Sequence, residues 1–223
     1  MAGWNPRFEA VRRLIGRDDC TIFDVGANIG DMIELYRVMF PRSTVHAFEP
    51  QPEIFAALGQ RFDGAAGIVL NRLALGERAG DAVLYQNSRT DTSSLLPLYP
   101  DSTWVKSMGL RQSAEITVPV DTIDNYCARR GVATIDFLKL DIQGFEPECL
   151  RGALAMLGRQ AIRVIQVEII THRKYRRRTT FLDIESVLVP NGYRLYCALD
   201  LVGDPHGELL FLDAVYVREA EFP

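Results

Sequence analysis

Asp24-Val25-Gly26-Ala27-Asn28-Ile29-Gly30 is the stretch on which the reading of this chain turns. The apolar run from Cys20 to Val25 leads into it, and Met32, Leu35, Tyr36 and Met39 follow at helical spacing. The seven residues therefore form the tight turn between a strand and a helix. Gly26 permits a backbone conformation that a Cβ disfavours, and Gly30 lets the helix that follows approach the sheet closely. The same unit recurs at once. Thr44 to Phe48 is strand-like, Glu49-Pro50-Gln51-Pro52 is a turn, and Ile54, Phe55, Leu58 and Phe62 mark one helical face. Ile68 to Leu70 supplies a third strand.

Outward from this pair of units the pattern continues in both directions. Trp4, Phe8, Val11, Leu14 and Ile15 predict an N-terminal helix over 4–17, packed on the sheet as a lid. Asp81 to Gln86 is a short strand, after which residues 87–113 dissolve into Ser, Thr, Asp and Pro. A segment of that length without periodicity is expected to be a mobile insertion that contacts substrate. Glu115 to Val120 is a strand and Asp121 to Arg130 a helix, with Asp121 as its N-cap. Ile135 to Leu140 is a buried strand ending in Asp141-Ile142-Gln143-Gly144-Phe145-Glu146, with a helical pattern through Leu150, Leu154 and Leu157. Ile162 to Ile170 is a strand and Phe181 to Leu188 a helix, while Tyr193 to Leu199 and Leu209 to Val217 are strands with no helix between them. Strands alternating with helices predict one α/β domain with a mostly parallel sheet, helices on both faces, and an antiparallel hairpin at the C-terminal edge.

Composition narrows the function classes. A chain of 223 residues that is 48% hydrophobic buries a substantial core. The four cysteines, Cys20, Cys127, Cys149 and Cys197, are scattered without paired short spacing, which argues against a zinc cluster or a disulfide scaffold. A net charge of -4 argues against a general nucleic-acid partner. One basic run, Arg173-Lys174-Tyr175-Arg176-Arg177-Arg178, opposes that average. Neither a membrane-spanning apolar stretch nor a basic-then-apolar leader is present, so the expected location is cytoplasmic.

Residues just after parallel strands are where an open α/β sheet binds ligands. In the first turn the spacing Gly26-x-Asn28-x-Gly30 departs from the G-x-G-x-x-G that seats a dinucleotide pyrophosphate on a helix N-terminus. Asp24 beside it would repel a pyrophosphate and favours a cationic cofactor with an ammonium group. Glu49 ends the second strand about twenty residues further on, where an acid accepts hydrogen bonds from both ribose hydroxyls. The loop Asn71-Arg72-Leu73-Ala74 after the third strand is placed to meet an adenine edge. Asp141 faces the same crevice as Asp24 and is the first catalytic candidate: it could orient an acceptor hydroxyl, take its proton, or hold a divalent cation that does so. The bland alternative is that Asp141 caps the next helix and Lys139 pairs with Glu146 or Glu168. Glu168 and His172, four apart after the fifth strand, could supply a base, and the chemistry of imidazole makes His172 the second catalytic candidate. The basic run could draw a phosphorylated or nucleotide-linked acceptor, although a solvated charge run is the commoner explanation.

The combination of DVGANIG at 24–30, AFEP at 47–50 and DFLKLDIQGFE at 136–146, followed by Gln166-Val167-Glu168, resembles the FkbM-type methyltransferases from about Thr21 to Tyr196. The resemblance implies a class I methyltransferase fold of Rossmann-like type, S-adenosylmethionine as cofactor, and O-methylation of a hydroxyl on a sugar, glycan or natural product. It assigns Asp24, Gly26, Asn28 and Gly30 to the methionine end of the cofactor, Glu49 to its ribose, Ala74 to the adenine loop and Asp141 to the reaction crevice. Ser93 and Ser94 fall where the family tends to carry a small hydroxylic pair, which implies a role near cofactor or acceptor. Many members have Glu where Gln143 stands, which lowers the expectation of a metal. Two rivals stay open: a methyltransferase fold reduced to a non-catalytic binding module, and a nicotinamide-dependent oxidoreductase, which would want the third glycine spacing and a tyrosine-lysine pair.

Overall fold

The computed structural model describes residues 7–221. Seven strands form one twisted sheet: β1 (Thr21–Val25), β2 (Thr44–Phe48), β3 (Ile68–Asn71), β7 (Ile135–Leu140), β8 (Ile162–Ile170), β9 (Tyr193–Gly203) and β10 (Leu209–Arg218). A smaller sheet holds the remaining three, β4 (Ala74–Leu75), β5 (Gly80–Asn87) and β6 (Gln112–Asp121). The large sheet runs β3-β2-β1-β7-β8-β10-β9. Its first five strands are parallel and β10 is antiparallel to both β8 and β9, so the predicted C-terminal hairpin forms the edge.

Alternation along each strand sends one residue to each face, and the sequence supplies apolar side chains to both. Ile22, Phe137 and Val164 pack with α1 (Arg7–Ile15), α2 (Asp31–Met39) and α3 (Pro52–Phe62) through Val11, Ile33, Tyr36, Leu58 and Phe62. Their neighbours Phe23, Leu138 and Ile165 face the other layer, made by α5 (Ile123–Arg130), α6 (Glu146–Arg151), α7 (Leu154–Gly158) and α8 (Phe181–Leu188). The helix predicted over 4–17 is found as α1, with Val11, Leu14 and Ile15 buried; Trp4 and the side chain of Phe8 lie outside the described residues.

Three local expectations are corrected. Thr122 caps α5, its Oγ1 accepting from Asn125 N at 3.0 Å, whereas the Asp121 carboxylate accepts from Thr122 N and pairs with Arg129. The helical pattern after Glu146 is broken into α6 and α7, because both carboxylate oxygens of Asp124 accept the backbone N–H groups of Ala155 and Met156 at 2.8 and 2.9 Å. The segment 87–113 is not a patternless mobile insertion. It links β5 to β6, carries a 3-10 turn at Thr90–Thr92 and the short helix α4 (Thr103–Ser107), and buries Leu96, Leu98, Val105 and Leu110 against Ile170 and Tyr175. Its apolar residues are too widely spaced for a helix or strand period, yet they converge on one small cluster.

Candidate active site

Strand order reverses between β1 and β7, with β2 and β3 on one side and β8 on the other. In a parallel sheet this switch point opens a crevice at the carboxyl ends of the strands. The two strands are drawn together there. Asp141 N donates to Val25 O at 3.0 Å, and a Cβ placed on Gly26 would lie 2.0 Å from the Asp141 carbonyl oxygen. Gly26 also sits at φ +87, in the left-handed region, so glycine is required on both counts. The turn is tied to β2 as well, since Gly26 N and Ala27 N both donate to Phe48 O at 3.0 Å. Gly30 has a packing role: at φ +90, a Cβ there would meet Phe62 at 2.4 Å and Leu58 at 2.7 Å.

A cavity of about 240 Å³ lies over the switch point. One wall is apolar, from Leu73, Ala74, Leu75, Leu84, Leu95 and Phe145. The other carries four acids, Glu49, Asp91, Asp141 and Glu168, and among the described residues neither lysine, arginine nor histidine lines it. The roof is the segment from Thr90 to Leu95, pinned by Gln51 Nε2 to Thr90 O at 3.3 Å, Tyr175 Oη to Thr92 O at 2.7 Å, and Ser94 Oγ to Gln143 O at 2.9 Å.

Glu49 joins the two turns, its Oε2 accepting from Asn28 N at 3.1 Å and its Oε1 from Gln51 N at 2.8 Å. Burial raises its pKa, and these hydrogen bonds oppose the rise. Asn28, at φ +48, folds its own side chain back to accept from Ile29 N. Asp141 is bonded on both oxygens, Oδ2 to Lys139 Nζ at 3.0 Å and Oδ1 to Gln143 Nε2 at 3.1 Å. Burial works to raise its pKa, but Lys139, with Gln143 and Lys174, holds it below the ordinary carboxylate value. Lys139 is buried, and its ammonium also lies 4.0 Å from Asp24 Oδ1, so it pairs with Asp141 and Asp24 rather than with Glu146 or Glu168. Asp24 is fully buried beneath the crevice, and burial pushes its pKa up to about 6 against the pull of Lys139.

The structure thus brings Gly26, Asn28, Glu49, Ala74, Ser93, Ser94 and Asp141 to one cavity. Ser93 Oγ accepts from Asn87 N at 3.2 Å. Asp24 and Gly30 support that cavity without lining it, and His172 lies apart. The His172 ring packs tilted against Trp104, with centroids 4.4 Å apart and planes at 50°, and its Nδ1 meets Leu210 O at 2.8 Å. The basic run is mostly engaged within the protein: Arg173 covers the Tyr99 ring, Lys174 reaches Gln143 and Arg177 pairs with Glu148. Sequence reasoning missed the hub at Gln143, at φ +59, whose amide donates to Asp141 and Glu168 while its carbonyl oxygen accepts from Lys174 and Tyr175. Its signal was in view, as an amide between two acids in Asp141-x-Gln143-Gly144-x-Glu146. Among the described residues no group of three or more His, Cys, Asp or Glu side chains is placed to hold a metal ion. No helix of the described residues is long and apolar enough to cross a membrane.

Comparison with known proteins bears on the family and the fold. The 31-O-demethyl-FK506 methyltransferase FkbM of Streptomyces tacrolimicus is 30% identical over 155 residues, covering 59% of this chain and 58% of that protein. The 2-O-methyltransferase NoeI of Sinorhizobium fredii is 22% identical over 144 residues, covering 62% of this chain and 59% of that protein. The match therefore spans less than two thirds of the length of these curated relatives. The magnesium protoporphyrin IX methyltransferase of Synechocystis, solved with bound SAM, superposes with a TM-score of 0.50 at 12% identity over 94% of this chain and 77% of that one. The expected class I methyltransferase fold is the one found. The methyltransferase FkbM domain matches residues 24–195, from the first glycine turn into β9, and the chain belongs to that family.

Proposed function

We propose that this chain transfers the methyl group of S-adenosylmethionine to a hydroxyl oxygen of a sugar, glycan or natural product. The observation that carries the reading is the charged lining of the switch-point cavity, which among the described residues consists of four acids, Glu49, Asp91, Asp141 and Glu168, and no cation. Such a wall favours a cationic ligand and opposes a pyrophosphate, which separates this site from a dinucleotide site on a related fold. The residues present fit the cofactor. Glu49 would hold the ribose, the apolar wall around Ala74 and Leu75 would take the adenine, and the turn at Gly26 and Asn28 would meet the methionine end. Bound there, the cofactor supplies an electrophilic methyl carbon on a positively charged sulfur.

The chain's own contribution is positioning. Glu49 locks the two cofactor turns together, Lys139 fixes Asp141 at the crevice, and the roof from Thr90 to Leu95 excludes water. Holding an acceptor oxygen near the methyl carbon and in line with sulfur contributes up to roughly 7 to 11 kcal/mol in favourable systems. The names of the two relatives, both O-methyltransferases, support an oxygen acceptor.

Calorimetric titration of S-adenosylmethionine and S-adenosylhomocysteine tests the reading. Micromolar binding of both, weakened at least tenfold in Glu49→Ala, is expected. Absence of binding to either ligand would leave a methyltransferase fold used for another purpose.

A further inference from the structure

Of the four acids in the cavity, three are occupied by close partners. Glu49 accepts from Asn28 and Gln51, Asp91 pairs with Arg89 at 2.7 Å, and Asp141 holds Lys139 and Gln143. Glu168 differs. Its Oε2 accepts from Gln143 Nε2 at 2.8 Å, no ion pair within 4.0 Å reaches it, and Oε1 has no hydrogen-bond partner among the described residues. It stands on β8 across the switch point from Glu49, beside Asp141 in the turn after β7. His172, the other candidate base, packs against Trp104 outside the cavity lining.

We propose that Glu168 takes the proton of the acceptor hydroxyl, that Gln143 positions it, and that Glu168 is made ready by losing its own proton when the cationic methyl donor binds. The inference rests on the methyltransferase reading above and goes beyond it by naming the proton's destination. As the acceptor oxygen bonds to the methyl carbon, the electron pair of the broken carbon–sulfur bond stays on sulfur and the hydroxyl proton passes to the Glu168 carboxylate.

The surroundings of Glu168 suit this cycle. Burial, with Asp141 on the β7 turn, Glu146 on α6 and Asp213 on β10, holds its proton on well above the usual carboxylate range, while Lys174 opposes them. With no cation lining the cavity and none in ion-pair contact, that carboxyl favours its protonated form. A positive charge within about 4 to 6 Å lowers a carboxyl pKa by roughly 1 to 3 units, which shifts Glu168 toward its ionised form. Asp141, already paired with Lys139, has little basicity to offer. Gln143 contributes an amide that binds Asp141 and Glu168 at once and cannot itself ionise.

The test compares S-adenosylmethionine with S-adenosylhomocysteine, which lacks the sulfonium charge. Each is titrated into the full chain by calorimetry, in pairs of buffers with different ionisation enthalpy, from about pH 5 to about pH 8. Proton release on binding the methionine form should exceed that on binding the homocysteine form by up to about one proton. Glu168→Gln should abolish the excess while leaving homocysteine-form affinity within about threefold, and His172→Gln should keep the excess. Gln143→Met retains the carboxylate but removes its hydrogen bond, and it should move the release to higher pH. Equal proton release for the two ligands in the wild type, or an excess that survives in Glu168→Gln, overturns the proposal while the cofactor reading stands. Release at an unchanged pH in Gln143→Met overturns the positioning role. Failure of both ligands to bind overturns the methyltransferase reading itself.

Discussion

Replacing Gly26 by alanine tests whether the close approach of β1 and β7 builds the crevice. The new Cβ would lie 2.0 Å from the Asp141 carbonyl oxygen, where ordinary contact begins near 3.4 Å. The obstacle is the backbone of Asp141, directly after a strand buried along its whole length, so the two turns must separate by more than an ångström. That separation strains or breaks the bond from Asp141 N to Val25 O, which contributes about 1 kcal/mol. Alanine at φ +87 adds about 1 to 2 kcal/mol of backbone strain. With residual strain in the turn, the loss is about 3 to 4 kcal/mol, or about 10 °C in melting temperature for a chain of this size. Gly30→Ala is the comparison. It carries similar backbone strain, but its obstacles are the ends of Phe62 and Leu58, and it does not line the cavity. Thermal melts should show both variants destabilised. Calorimetry with S-adenosylhomocysteine should show affinity lost by at least tenfold in Gly26→Ala and kept within threefold in Gly30→Ala. A Gly26→Ala protein that melts within about 1 °C of wild type, or binds as Gly30→Ala does, would refute the reasoning.

Other outcomes follow from the same geometry. Glu49→Ala leaves the N–H groups of Asn28 and Gln51 without their acceptor, and should cost about 2 to 4 kcal/mol in urea denaturation in addition to the loss of cofactor affinity. Glu146 is fully buried, and burial pushes its pKa up to about 7 despite backbone N–H donors from Ile142 and Gly144. Its folded form keeps a proton that the unfolded chain releases from about pH 4.5, so its stability contribution is complete below that pH and is lost as pH rises through about 7. Glu146→Gln should remove about 3 kcal/mol of that decline, read as a flatter melting temperature between those limits; an unchanged slope would exclude the assignment. His172→Ala should destabilise by about 1 to 3 kcal/mol through loss of its packing against Trp104, with affinity for S-adenosylhomocysteine unchanged; weakened binding with an intact melt would bring the histidine back to the site.

The large sheet was legible because its strands are short apolar runs that end in polar turns, and a parallel strand buried on both faces leaves just that signature. The positions of Gly26, Asn28, Glu49 and Asp141 followed from the turns after those strands. The small sheet was harder to see. β5 and β6 each read as a strand, but their pairing across residues 88–111 depends on contacts between distant segments, which no local period encodes. The roof was misread for a related reason: Leu96, Leu98, Val105 and Leu110 gain meaning only beside Ile170 and Tyr175. Lys139 was weighed against Glu146 and Glu168, yet its partners are set by strand register, which pairs Asp24 with Lys139 across β1 and β7. The run from Arg173 to Arg178 looked like surface charge, and two members of it, Lys174 and Tyr175, prove to reach the hub at Gln143.

The pinned roof has a kinetic meaning. Residues 90–95 are fastened from three directions, by Gln51 after β2, by Gln143 after β7 and by Tyr175 beyond β8, and Ser94 is bridged to Tyr85 of β5 as well. If the roof must lift as a unit for a ligand to pass, five hydrogen bonds open together, three to Gln51, Gln143 and Tyr175 and two to Tyr85, at about 1 kcal/mol each. Passage would then be slower than into an open cleft by roughly several thousandfold, with the gate rather than diffusion setting ligand exchange. On the methyltransferase reading proposed above, that opening would limit turnover, and shortening Gln51, Ser94 or Tyr175 would quicken exchange before it altered the chemistry beneath.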